Sequence, residues 1–271
     1  PWTGGFDRAY ADEGNGSAAP PSAAALDATA EVRVASTPEE LEAAAKDATA
    51  TSIALGADID VASLEGGVLK DDYDSYRYKV LFDHSVTLDL NGHELTNSSS
   101  NESGKSGTIL LFGSLEGKVD AVLMDTAGGE NPEGDGLSGR VSGGLPSGIK
   151  TVGDDTTLAI KGGVICNNRA TQGGGVCVED GSVVMTGGSI ANNVAGGGRS
   201  GEGGGVYVGL LSSFTMEGGS ITGNTSDQYG GGVAVGVLGK FTMNDGSITG
   251  NSVTVAGFQN GGGGGGIANE S

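Results

Sequence analysis

One phrase, written twice, constrains this chain more than any other feature. Residues 214–224 read FTMEGGSITGN and residues 241–251 read FTMNDGSITGN. Three things are held fixed: apolar residues two apart, a pair of small residues, and a closing Asn. An apolar offset of two is strand spacing, because alternate side chains of a strand share a face. With Ile221 as reference, Ile165, Ile190 and Ile248 are its counterparts. Five residues earlier stand Ile160, Met185, Met216 and Met243, and seven earlier stand Leu158, Val183, Phe214 and Phe241. Three residues later an Asn closes every copy: Asn168, Asn193, Asn224 and Asn251. An earlier segment sets Leu88, Leu90 and Leu95 at the same offsets, with Ser98 in the Asn position.

A second phrase follows the first: GGGVCV, GGGVYV, GGGVAV and GGGGGGI, centred on Val176, Val206, Val233 and Ile267. Weaker relatives centre on Ile109 and Ile149. The reference Ile residues lie 25, 31 and 27 residues apart. Fixed phrases at a variable period mean a regular core with loops of different length. The chain has 54 Gly and only 6 Pro, with no strict triplet, which excludes collagen. Evenly placed apolar residues between the glycines exclude disorder across the repeats.

These patterns predict an all-β fold, a right-handed parallel β-helix with three short strands per repeat. Each strand pairs with its copy one repeat away at roughly 4.8 Å. Ile165, Ile190, Ile221 and Ile248 form one inward stack, and each fully buried member contributes roughly 1.5–3 kcal/mol before entropy is subtracted. The four Asn residues form a second stack, whose amides satisfy turn backbone groups and bond to one another. Residues 1–30 read as a disordered or linker lead and residues 31–271 as the β-helix. The closing GGGGGGIANES breaks off inside a repeat, so a C-terminal truncation is expected. Before the repeats, Val32 and Val34 predict a short strand. Thr37, Pro38 and Glu40 then form an N-cap, a first helical position and the far side of a capping box. The helix they start is expected to cap the open end of the coil.

The TLDLNGHEL stretch after that helix, and the paired GGSIxxN and GGGVYV phrases, resemble bacterial cell-surface proteins of the pectate-lyase-like β-helix superfamily. The pairing is also similar to the GGA[ILV] and FxxN repeats of polymorphic outer-membrane proteins, with Ile here in place of Phe. The resemblance covers residue 31 onward. It implies a secreted or surface-exposed bacterial β-helix, and it does not choose among lyases, hydrolases, adhesins and inert stalks.

The formal net charge of −20 disfavours nucleic acid and anionic lipid as partners. No apolar run is long enough to span a membrane, so no membrane insertion is expected. A lyase of the implied kind needs acids converging on Ca²⁺ and a cationic base. The weak Ca²⁺ candidates are Asp71, Asp72 and Asp74, and Glu130, Glu133 and Asp135; the bases near such clusters are Arg77, Lys79 and Arg140. Solvated loop charges are the plainer reading of each cluster. No acid pair on a strand matches a glycosidase. Cys166 and Cys177 sit in no metal-ligand spacing, and both a disulfide and two free thiols remain open. The leading expectation is a non-catalytic, secreted or surface-anchored stalk or adhesin-like module. It has no catalytic residue and no cofactor, and its partner is a glycan or a host-surface ligand bound in the loops at 98–106, 126–147 and 195–203. The alternative is a carbohydrate-active enzyme, a polysaccharide lyase or glycoside hydrolase using Ca²⁺.

Overall fold

The computed structural model describes residues 31–70, 75–99, 107–114, 117–128, 138–196, 201–254 and 263–269. The expected lead at 1–30 lies outside the described residues. Within them the protein is mostly strand, arranged in three sheets of 13, 8 and 4 strands. Successive copies of each phrase pair in parallel, so consecutive repeats stack. Among the described residues the one antiparallel pair is the hairpin of Gly67–Lys70 with Ser75–Phe82.

The register matches the reading of the repeated phrase. Phe214 pairs with Val183 and Phe241, and Met216 with Met185 and Met243. Ile165, Ile190, Ile221 and Ile248 pair in order, as do Val176, Val206, Val233 and Ile267. Phe214, Met216 and Ile221 are fully buried, whereas the neighbouring Thr215 and Thr222 are half-buried. The Phe214 and Phe241 rings stack with centroids 6.0 Å apart. One apolar core runs from Ala35 to Val235, with Phe241 and Ile248 packed on its end.

Three features differ from the sequence reading. First, the two repeats that begin at Ile149 and Val176 have four strands instead of the expected three, which hold in the last two repeats. There Ser213–Thr222 and Lys240–Thr249 are long strands with a register shift at the small-residue pair. In the preceding repeats a glycine joint breaks this strand in two, as in Ser182–Met185 and Ser189–Ala191. Both halves pair with Ser213–Thr222, so they belong to one bent sheet.

Second, the early leucines are out of step. Leu88, not Leu90, pairs through Leu123 to the Ile160 column, while Leu95 pairs with Val141 in the Ile165 column. Two extra residues lie between these strands, absorbed by a turn at Asn91 and Gly92, both with positive φ (49° and 78°). Ser98 keeps its offset from Leu95 but does not extend the Asn stack: it is exposed, and its backbone N–H donates to Asp60 Oδ1 at 3.0 Å.

Third, Leu110 rather than Ile109 pairs with Ile149. All six residues of Thr108–Gly113 are buried, because a second apolar cluster of Tyr76, Leu111 and Val152 forms on the far face under the hairpin. A strand apolar on both faces carries no period-two signal.

The helix Pro38–Ala45 starts as expected. Thr37 Oγ1 accepts the Glu40 N–H at 3.2 Å, and the Glu40 carboxylate reaches back to the N–H of Ser36, one residue before the cap. Leu41, Ala44 and Ala45 are buried, and the helix packs against Arg33–Ala35 and Ser75–Phe82. In Arg33–Ala35 the buried side chain is Ala35, and both Val32 and Val34 are exposed. This strand ends its sheet, so its apolar pair lies on the uncovered side.

Candidate functional site

The Asn stack is a hydrogen-bonded ladder. Asn193, Asn224 and Asn251 each accept at Oδ1 from the Asn of the preceding repeat, through both its backbone N–H and its Nδ2, and Asn168 Oδ1 accepts the Gly144 N–H at 2.8 Å. Asn224 Oδ1, for instance, lies 2.9 Å from Asn193 N and 3.0 Å from Asn193 Nδ2. Each Nδ2 also donates back to a carbonyl one repeat earlier: Asn168 to Val141, Asn193 to Ile165, Asn224 to Ile190 and Asn251 to Ile221. The residue before each ladder Asn is in the left-handed region, and it is Asn167, Asn192, Gly223 or Gly250. Those residue types reach that region at least cost. The triple glycines close around the ladder. A Cβ on Gly204 would stand 2.5 Å from the Gly231 carbonyl, and one on Gly175 would stand 2.8 Å from Asn193 Nδ2.

On the outside, the glycine joints create a cleft of about 590 Å³. It spans successive repeats at Asp125, Lys161–Val164, Thr186–Gly188 and Gly219–Ser220, with Ser138 at its wall. Gly163, Gly188 and Gly219 have φ near +80°, and a Cβ on Gly187 would meet the Lys161 carbonyl at 2.5 Å. The joint is therefore bare backbone by steric necessity, and the chain behind it forms the cleft floor. Asp125 braces one end: its two oxygens accept the Gly92 and Gly139 N–H groups, each at 2.7 Å. Ser220 Oγ donates to Ser189 Oγ at 3.0 Å. Ser138 Oγ is buried with no hydrogen-bond partner. The cleft thus offers hydroxyls, backbone polar groups and the Lys161 ammonium. Among the described lining residues the one carboxylate, Asp125, is occupied by backbone.

Sequence reasoning missed Asp125, Ser138, Lys161, Thr186 and Ser220 as neighbours. The available signal was the recurring x-Gly-Gly at 161–163, 186–188 and 217–219. The expected binding loop at 126–147 borders this cleft through Gly128 and Ser138. Its residues 129–137, and residues 100–106 and 197–200 of the other two loops, lie outside the described residues.

The six Ca²⁺ candidates, Asp71, Asp72, Asp74, Glu130, Glu133 and Asp135, also lie outside them. Among the described residues no three His, Cys, Asp or Glu side chains are placed to hold a metal. The suggested bases are scattered. Arg77 is exposed, Arg140 is half-buried, and Lys79 is buried with Nζ donating to the Leu64 carbonyl at 2.9 Å. Cys166 and Cys177 are free thiols, both buried. Cys177 sits between Lys150 and Tyr207 on neighbouring strands, with a Lys150–Glu179 ion pair of 2.9 Å beside it. Burial, opposed by the Lys150 charge and reinforced by Glu179, leaves its pKa raised to about 12. A thiol held protonated is not a nucleophile.

No protein-family model, curated protein or solved structure matches this chain. Among the described residues no helix is long and apolar enough to cross a membrane.

Proposed function

We propose that this chain is a right-handed parallel β-helix, capped by the helix Pro38–Ala45, that serves as a non-catalytic stalk or adhesin-like module. In this reading it is a secreted or surface-anchored bacterial protein of the pectate-lyase-like kind, and the cleft along the glycine joints holds its ligand. The observation that carries the reading is the ladder of Asn168, Asn193, Asn224 and Asn251. It locks consecutive repeats in register without a gap, as a rigid spacer requires. The cleft runs across those same repeats and offers hydroxyls and an ammonium, which suit a hydroxyl-rich glycan. Repeats follow at roughly 4.8 Å, whereas an extended peptide advances about 3.3 Å per residue. The spacing is close to that of sugar units in a linear polysaccharide.

A panel of neutral and acidic polysaccharides, tested by calorimetry against the wild type and Lys161→Ala with Thr186→Ala, tests this. Saturable binding that the double substitution weakens supports the reading. Failure of every glycan to bind removes the adhesin part. Ca²⁺-dependent release of unsaturated uronate from polygalacturonate would replace the stalk with the lyase.

A further inference from the structure

The glycine joints change chemistry along the molecule, and the cleft lies where they are bare. Counted from Ile160, Met185, Met216 and Met243, which pair in order, the joint reads Lys161-Gly162-Gly163, Thr186-Gly187-Gly188, Glu217-Gly218-Gly219 and Asn244-Asp245-Gly246. The described lining of the cleft ends at Gly219 and Ser220. One repeat further the first glycine is replaced by Asp245, an exposed residue whose carboxylate accepts the Gly246 N–H at 2.7 Å. Asp125 stands at the other end. Carboxylates therefore flank the row at both ends, and Glu217, half-buried, adds a third beside the last glycine pair. Between them the floor is uncharged backbone with both kinds of polar group. Among the described residues nothing accepts the N–H groups of Gly162, Gly163 and Gly188, and nothing donates to the carbonyls of Lys161, Gly162 and Gly187. At the wall, Ser138 is 7% exposed and its Oγ has no hydrogen-bond partner. A buried hydroxyl left unpaired costs free energy that a bound partner recovers.

We propose that the cleft selects a neutral, linear glycan of about four sugar units, and that Ser138 supplies the specificity-determining contact. This rests on the glycan reading of the cleft and narrows it to one chemical class. The lining residues come from four successive repeats, so at roughly 4.8 Å per repeat a chain of about four units fills the row. A sugar hydroxyl both donates and accepts, which matches a floor of unpaired N–H and C=O groups. A carboxylate only accepts, and leaves the carbonyls unmet. Charge selects the same class. Lys161 is the one cation of the described lining, and an acidic chain that follows the row meets Asp125 at one end and Glu217 and Asp245 at the other. The net charge of −20 adds to that repulsion. A neutral chain meets no such opposition. The Ser138 hydroxyl rotates to donate or to accept, so it reads a sugar hydroxyl from the wall.

Calorimetry with neutral oligomers of β-1,4-linked glucose, mannose and xylose, two to six units long, against oligogalacturonates of the same lengths, tests the proposal. At least one neutral series is expected to bind the wild type, with affinity rising to about four units and then levelling. Oligogalacturonates should bind more weakly at low salt, with the gap narrowing as salt screens the repulsion. Ser138→Ala removes an unpaired hydroxyl, so its melting temperature should stay or rise while its affinity for the neutral oligomer falls about fivefold. A fall in affinity without a fall in stability reports on contact rather than folding. Tighter binding of oligogalacturonates than of every neutral series overturns the neutral assignment and leaves the glycan reading of the cleft standing. Wild-type affinity in Ser138→Ala overturns the contact assigned to Ser138. No binding of either kind overturns the proposal and the glycan reading together.

Discussion

Between residues 164 and 254 the turn after each Ile of the Ile165 column is held by an amide, whereas between 58 and 125 carboxylates hold the turn after Ile59 and the joints aligned with the later glycine joints. In the later region Asn193, Asn224 and Asn251 each accept from the Asn one repeat earlier, and Asn168, Asn193 and Asn224 each donate to the Asn of the next. In the earlier region Asp60 accepts the Ala62 and Ser98 N–H groups, and Asp89 accepts those of Asn91 and Thr126. Asp125 accepts those of Gly92 and Gly139. An amide carries donors and an acceptor, so it hands the pattern on; an ionised carboxylate only accepts, so it ends it. The amide ladder suits identical repeats. The carboxylates suit repeats whose bends differ in length, such as the two-residue insertion before Leu95.

The sharpest break of this comparison is Ile221→Asp, which puts a charge in the fully buried column beside the ladder. It should abolish folding, seen as loss of the native circular dichroism, whereas Thr222→Asp should change stability by no more than about 1 kcal/mol. The reverse sensitivity would mean that the strand register is wrong by one. Next comes Asn224→Ala. It leaves the Ile190 carbonyl and the Asn193 N–H without their side-chain partner, and should cost about 1–3 kcal/mol in chemical denaturation. A variant as stable as the parent would remove the ladder from the argument.

Acid should separate the two regions. Burial pushes the Asp60 carboxyl up, but hydrogen bonds from Ser98 and Ala62 and the charge of Lys79 outweigh it, so its pKa lies below the usual carboxylate value. Its stabilisation is therefore complete above the unfolded carboxylate pKa and is lost as pH falls through the depressed folded value. The amide ladder does not titrate. On acidification, hydrogen exchange should quicken at Ala62 and Ser98 before Asn193 and Asn224, and Asp60→Asn should flatten the early loss. Equal loss in both regions at one pH would break the comparison. The smallest effect concerns the thiols. Cys166 and Cys177 are both raised by burial, so neither should be alkylated by iodoacetamide at neutral pH until the chain unfolds. Labelling of native protein would show that the outer face of the later repeats opens.

The later repeats were legible because identical phrases must fall in register: once Phe214 and Phe241 are aligned, Ile221 and Asn224 have no freedom. The cleft was not legible. Asp125, Ser138, Lys161, Thr186 and Ser220 are spread over 96 positions, and only stacking brings them together. The exposed Leu211 and Leu238 were hidden for a different reason. Leu at the third position of GLLSSF and GVLGKF does not signal a left-handed turn, and only the positive φ at Leu211 and Leu238 shows a corner there.

By itself the sequence determined the strand period, the paired columns of Phe, Met, Ile and Val, and the inward Asn stack. These follow from a local spacing of two and from repetition, and neither needs knowledge of distant residues. The tertiary structure alone decided where the early leucines shift by two and that Leu110 pairs with Ile149. It also decided that the glycine joints bend a sheet into a cleft, and that the Asp60 carboxylate holds the turn after Ile59, beyond the point where the ladder stops. Those outcomes depend on which atoms meet across repeats of unequal length, and a period along the chain does not encode that.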